Sequence, residues 1–254
     1  GVLEPRGAYF ATAGNCVRVE RQGNYAYVVS REYGLHVLDV SGSDHIERVG
    51  GVTAQGAQAV AVAGKFAFLG GDDQVLRIFD VHDPTRLTLV NSVIISNAIY
   101  DVKLHEGFAY LTVDTGEMVT LDVRDVTDVA QVNRYSESTR PLPAIAIAGS
   151  RLYFVQSSVK VFDISEPRNP RELGSIPYLG DDPVSAYFDN AFLYVLGNFT
   201  FLNVLDFRDE TAPVYFDFPI NESFATFGSV ISGDGRYIYV GSQYEQSFCA
   251  FNAA

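Results

Sequence analysis

Positive charge is scarce in this chain of 254 residues. Lysine occurs only as Lys65, Lys103 and Lys160, and Lys plus Arg total 18 against 31 Asp plus Glu. A formal net charge of −13 argues against nucleic acid or an anionic lipid surface as partner, since both need clustered cations. Long apolar runs are also missing. The longest are strand-sized, such as Ala57 to Ala63 and Ala144 to Ala148, far short of the roughly 18 residues of a spanning helix, so no membrane insertion is expected. Cysteine is limited to Cys16 and Cys249, too few for a disulfide framework. The strand placement below separates them by about two inter-strand spacings, near 10 Å, beyond disulfide reach, so two free thiols are expected. The histidines, His36, His45, His82 and His105, lack metal-ligand spacing, so no zinc site is expected. There is no Gly-x-Ser-x-Gly elbow and no glycine-rich phosphate loop.

What the chain does have is a repeat. The stretch from Gly23 to Ser41, GNYAYVVSREYGLHVLDVS, carries an aromatic strand, a polar turn, an aliphatic strand, an aspartate and a second turn. The aspartate returns at Asp39, Asp80, Asp122, Asp163 and Asp206, with Asn252 in the last copy. Steps of 41, 42, 41, 43 and 46 residues separate these positions, and a period between 20 and 50 points to a repeat architecture. Before each lies an alternating segment, from Leu35-His36-Val37-Leu38 to Phe248-Cys249-Ala250-Phe251, which reads as a strand. An aromatic strand precedes it, as in Tyr25-Ala26-Tyr27 and Phe66-Ala67-Phe68; such residues suit a pleated, half-buried surface. An alternating strand opens each copy, with Val60 and Val62 or Val102 and Leu104. Turns rich in Asp, Ser and Pro follow the aspartate, as in Asp80-Val81-His82-Asp83-Pro84, and a fourth strand such as Leu87 to Ile95 completes the unit.

Four strands in about 42 residues, six times over, predict an all-β, six-bladed β-propeller with four-stranded antiparallel blades, a single domain over 1–254. The last copy ends after its third strand. Arg6-Gly7-Ala8-Tyr9-Phe10-Ala11-Thr12-Ala13 resembles the fourth strand Arg48-Val49-Gly50-Gly51-Val52-Thr53-Ala54, so the N-terminal strand is expected to complete the last blade and close the ring. The blades are then 15–57, 58–98, 99–139, 140–181, 182–224, and 225–254 with 6–13. The apolar-x-apolar-apolar-Asp pattern and its turn, best at Leu35 to Ser41, Leu76 to Pro84 and Val159 to Pro170, resemble the LVIVD repeat of bacterial and archaeal propellers. That resemblance implies a propeller, often on exported or surface proteins. It implies no reaction and brings no catalytic residue with it.

Ligand sites in propellers favour the face where the turns between strands two and three meet the connections between blades. Candidate ligand-binding residues there are Arg31, Tyr33, Asp73, Tyr100, Asp114, Arg140, Asp182 and Tyr244. The expected function is a non-catalytic binding or interaction propeller of an exported or cell-surface protein. Its ligand site lies at the channel mouth, its partner is a small molecule, a peptide or a protein, and the chain is a monomer. Gly1 in place of Met reads as a mature form, and Asn198-Phe199-Thr200 and Asn221-Glu222-Ser223 fit the N-glycosylation pattern. The alternative is a hydrolase or lyase using Asp73 or Asp182, Tyr100 and Arg140. No cofactor or metal is assigned, although the acidic face leaves Ca²⁺ open.

Overall fold

The computed structural model describes residues 16–42, 46–136, 143–178, 180, 182–197, 201–209, 213–219, 228–233, 237–242 and 247–252. Among the described residues every regular element is a β-strand. The first sheet runs β1 (Cys16–Gln22), β2 (Tyr25–Ser30), β3 (Gly34–Asp39), β4 (Glu47–Val52); the second β5 (Ala57–Ala63), β6 (Phe66–Gly71), β7 (Val75–Asp80), β8 (Thr88–Ile94); the third β9 (Ile99–His105), β10 (Phe108–Val113), β11 (Glu117–Asp122), β12 (Ala130–Ser136). The fourth runs β13 (Ala144–Ala148), β14 (Arg151–Val155), β15 (Ser158–Asp163), β16 (Arg171–Pro177), and the fifth β17 (Pro183–Asp189), β18 (Phe192–Gly197), β19 (Phe201–Asp206), β20 (Val214–Pro219). The last has three strands, β21 (Gly228–Gly233), β22 (Tyr237–Ser242) and β23 (Ser247–Asn252). Strand order follows chain order in every sheet, so each blade is an up-and-down meander. The expected fourth strand of the last blade, residues 6–13, lies outside the described residues.

The repeated aspartate has a mechanical role. Asp39, Asp80, Asp122, Asp163 and Asp206 each accept a hydrogen bond from the backbone N–H two residues on, at 2.8 to 3.3 Å. This is the Asx turn that short acidic side chains make with their own backbone. The residue after each aspartate donates its N–H back to the turn before strand two: Val40 to Asn24, Val81 to Lys65, Val123 to Gly107, Ile164 to Ser150 and Phe207 to Ala191. One residue type thus ends the third strand and turns the chain toward the fourth.

The chain divides into two compact units, residues 1–114 with 121–131, and 115–120 with 132–254. In the first, the opening strands β1, β5 and β9 lie side by side. Tyr27, Val29, Leu35 and Val37 of the first sheet pack against Val60, Ala67, Leu69 and Phe79 of the second. In the second unit, β13, β17 and β21 lie side by side. Tyr153, Val155 and Val159 pack against Leu193, Val195, Leu205 and Phe207. Burying each such side chain contributes about 1.5–3 kcal/mol. The opening strands depart from simple alternation: Ala59, Val60 and Ala61 are all buried. A strand with a neighbouring blade on either side has no solvent face, so small residues fill the second side.

Outer strands are the exposed sheet edges. Those of the first, second and fourth blades carry a β-bulge, where the register skips Val49, Val90 and Leu173. A bulge twists an edge away from strand-to-strand pairing. Cys16 opens β1 as a free, exposed thiol, and Cys249 falls in β23.

Candidate functional site

The turn after β2 holds Arg31, Glu32 and Tyr33. It meets the connection from β4 to β5 and the turn after β6. The Gly56 N–H donates to the Arg31 carbonyl at 2.7 Å, and the Asp72 N–H donates to the Gly56 carbonyl at 2.9 Å. These main-chain bonds fix two turns from neighbouring blades against one linker. On that frame the Arg31 guanidinium pairs with the Asp72 carboxylate at 2.9 Å, and the Gln58 amide donates to the other Asp72 oxygen. Both ion-pair partners are about half exposed, so the pair itself contributes about 0–1 kcal/mol and positions the groups more than it stabilises the fold. Tyr33, two residues along the same turn, is 46% exposed. Asp72 is the main group holding the Arg31 proton, with Tyr100 and Glu32 close enough to add to that hold. Glu32 also pushes up the Cys16 thiol, second to burial, so this cysteine is a poor nucleophile at neutral pH.

The sequence-predicted residues separate accordingly. Arg31 of the first blade pairs with Asp72 of the second and lies within electrostatic range of Tyr100 of the third, while Tyr33 follows Arg31 in the same turn. Asp73 turns away: it accepts from the Val75 N–H at 3.4 Å and pairs with Arg77 at 2.5 Å. Adjacent residues in an extended turn point apart, so the Asp72-Asp73 pair does not form one acidic centre. Asp114 accepts from the Asn97 amide at 3.1 Å. Asp182 is exposed just ahead of β17. Arg140 and Tyr244 lie outside the described residues. Among the described residues no three of His, Cys, Asp and Glu converge as metal ligands would. The second unit builds its own turn contacts, with Glu117 bound by Thr115 at 2.9 Å and Arg134 at 2.5 Å, and the Gln156 amide donating to the Gly116 carbonyl at 2.9 Å.

A second charged group was not predicted as a site. It lies on the opening strands of the first unit. Lys103 Nζ is 3.6 Å from an Asp101 carboxylate oxygen, and the Asp101 side chain is only 7% exposed. Glu20 on β1 feels Lys103, Asp101 and Arg18, but burial is the largest influence and raises its carboxyl above the ordinary range. The signal was present as alternating charge, Arg18-x-Glu20 and Asp101-x-Lys103, in strands whose counterparts are Ala59-x-Ala61 and Ala144-x-Ala146.

Stacked four-stranded antiparallel meanders whose opening strands lie side by side define a β-propeller. Compared with known families, the LVIVD repeat matches three times, at residues 13–50, 55–94 and 99–137, one match for each of the first three blades. The first three blades are thus similar to the LVIVD repeat, and the fold is a β-propeller. The Val159 to Pro170 copy lies outside these matches, yet its sheet has the same strand order and the same Asx turn. No curated protein matches the chain.

Proposed function

We propose that the chain is a non-catalytic binding or interaction module, and that its ligand or partner docks on the loop face of the first three blades. The observation that carries this is the Arg31–Asp72–Gln58 network, with Tyr100 in electrostatic range of Arg31 and the exposed Tyr33 in the same turn as Arg31. Three blades contribute to one polar surface that includes an exposed aromatic ring. Its residues differ from their counterparts in other blades, so the scaffold does not require them. The exposed Arg31–Asp72 pair can open cheaply. A ligand carboxylate can then take the arginine, and an apolar group can cover Tyr33. The hydrolase or lyase alternative has less support, because no hydrogen bond joins Arg31, Tyr100 and Asp114 to one another among the described residues. The proposal includes export or surface display, supported by the two glycosylation triplets. It also includes a six-bladed ring in which residues 6–13 complete the three-stranded last sheet.

A thermal-shift screen of small carboxylates, sugars and peptides on wild type and on Arg31→Ala/Tyr33→Ala tests the docking face. Compounds that raise the wild-type midpoint and leave the double variant unmoved support it, since a ligand of the native state must stabilise it. Hits that shift both proteins equally place the site elsewhere.

A further inference from the structure

The outer strand is where a blade can be extended, and the fifth blade leaves its own unguarded. Bulges and charged side chains are the devices that keep sheet edges from pairing. β4, β8 and β16 each carry a bulge at the same step of the repeat. β4 and β16 add Glu47 with Arg48 and Arg171 with Glu172. In β20 the bulge is missing: Val214 to Pro219 pair residue for residue with Asp206 to Phe201 of β19. The strand reads VYFDFP, and among the described residues no strand pairs with its other side. Pro219 closes it without an N–H to offer, so the pairing edge is 214–218.

Alternation sets what this edge shows. Tyr215 packs on the cluster of Tyr153 and Leu205 and donates its hydroxyl to the Asn203 amide oxygen. Val214 and Phe216 alternate with it and are 51% and 41% exposed. Charge sets what the edge accepts. From Asp209 to Gly235 the sequence has Asp209, Glu210, Asp217, Glu222 and Asp234, and no Lys or Arg. Arg208, just ahead, has its guanidinium held by Asp206. A second copy of β20 laid against the first would set two such uncompensated acidic segments side by side, and like charges across a strand pair are destabilising.

We infer that the β20 edge is a docking site for an extended segment of a partner protein in which apolar residues alternate with lysine or arginine. The segment adds a fifth strand to the fifth blade. Its main chain takes the unpaired N–H and C=O groups of 214–218, its apolar residues cover Val214 and Phe216, and its cations complement the acidic flank. The edge belongs to an outer strand of the second unit, apart from the loop face proposed above, and stands or falls independently of it.

The probe is a fluorescein-labelled peptide of alternating lysine and valine, about seven residues long so as to span the edge. It is titrated onto the full chain by fluorescence anisotropy, and the complex is followed by hydrogen exchange with mass spectrometry. The peptide should bind saturably and slow exchange in the segment that contains β20. Its glutamate–valine counterpart should not bind. Methylating alternate backbone nitrogens, on whichever of the two sets faces β20, should weaken binding by about tenfold or more, a loss of about 1.4 kcal/mol. Val214→Thr/Phe216→Thr keeps strand-forming residues at both positions and should weaken it by about tenfold, whereas Arg31→Ala/Tyr33→Ala should bind as wild type does. Absence of saturable binding overturns the inference. So does binding that survives methylation of both sets, which is electrostatic adsorption only, and so does protection confined to another strand. Self-association of the chain in sedimentation velocity, removed by the double threonine variant, would give the edge to a second copy and overturn the inference as well.

Discussion

Two kinds of carboxylate respond to pH in opposite senses. Asp80 and Asp163 sit below the ordinary carboxyl value of 3.8, Asp80 chiefly through the His82 N–H and Asp163 chiefly through the Ser165 hydroxyl. A depressed acid contributes stability that is complete above its unfolded value and is lost as pH falls through the lower folded one. Asparagine keeps the turn-forming oxygen and removes the titration. The variant Asp80→Asn/Asp163→Asn should therefore lose less stability than wild type between pH 7 and about pH 3. Urea midpoints across that range measure this, and identical acid limbs would refute it. Glu20 is the reverse case, raised from 4.5 mainly by burial. Its ionisation opposes folding, so the penalty grows as pH rises from the unfolded value through the folded one. Glu20→Gln should melt above wild type at pH 7, by about 2–4 °C if the penalty is about 1 kcal/mol, and level with it below pH 4. Differential scanning fluorimetry at the two pH values decides the matter.

At the scale of elements, the outer strand of one blade is fastened to the turn of the next. A Cβ on Gly50 of β4 would stand 2.1 Å from the Pro84 carbonyl oxygen in the second blade's turn. One blade on, the Asn91 amide of β8 donates to the Val126 carbonyl at 2.9 Å in the equivalent turn. The same contact is thus made by close backbone approach once and by a side-chain bond once. Gly50→Ala should cost about 1–3 kcal/mol, because backbone cannot yield as a side chain can. Asn91→Ala should cost about 1 kcal/mol. Denaturant unfolding followed by circular dichroism measures both, and an unchanged midpoint for Gly50→Ala would show that the strands can part without loss. The strands themselves were readable in the sequence, because the aspartate sets a register and alternation sets the faces. The contacts between blades were less so, yet they follow the same period. Arg31 and Asp72 are 41 residues apart, and Gln22 donates to Gly64 across 42. Residues one repeat apart occupy equivalent places in adjacent blades, so complementary side chains at that spacing are the trace of such a contact. The charged opening strands stayed hidden for another reason: Arg18-x-Glu20 reads as a solvated strand face until register sets it on the strand whose counterparts carry Ala59 and Ala61.

For the whole molecule, stability in a repeat array comes from each repeat and from its contacts with its neighbours. A blade that lacks its fourth strand leaves a row of unpaired backbone groups, which templates association. The last sheet ends at β23, whose outer side has no partner strand among the described residues. Under the closure we propose, residues 6–13 supply that partner. A chain beginning at Cys16 then loses a strand while keeping every described element, so its far-ultraviolet circular dichroism should change little. Its melting midpoint should fall by several degrees, as expected when interface terms worth a few kcal/mol disappear from a domain of this size. The exposed β23 edge should also make its size depend on concentration, read by size-exclusion chromatography with light scattering. A truncated chain that melts with the full chain and stays monomeric would show that β23 needs no strand from the N-terminus. A lower midpoint restored by adding a synthetic peptide of residues 1–15 would be the stronger result, since strand addition in trans requires the pairing itself and not merely the presence of the segment.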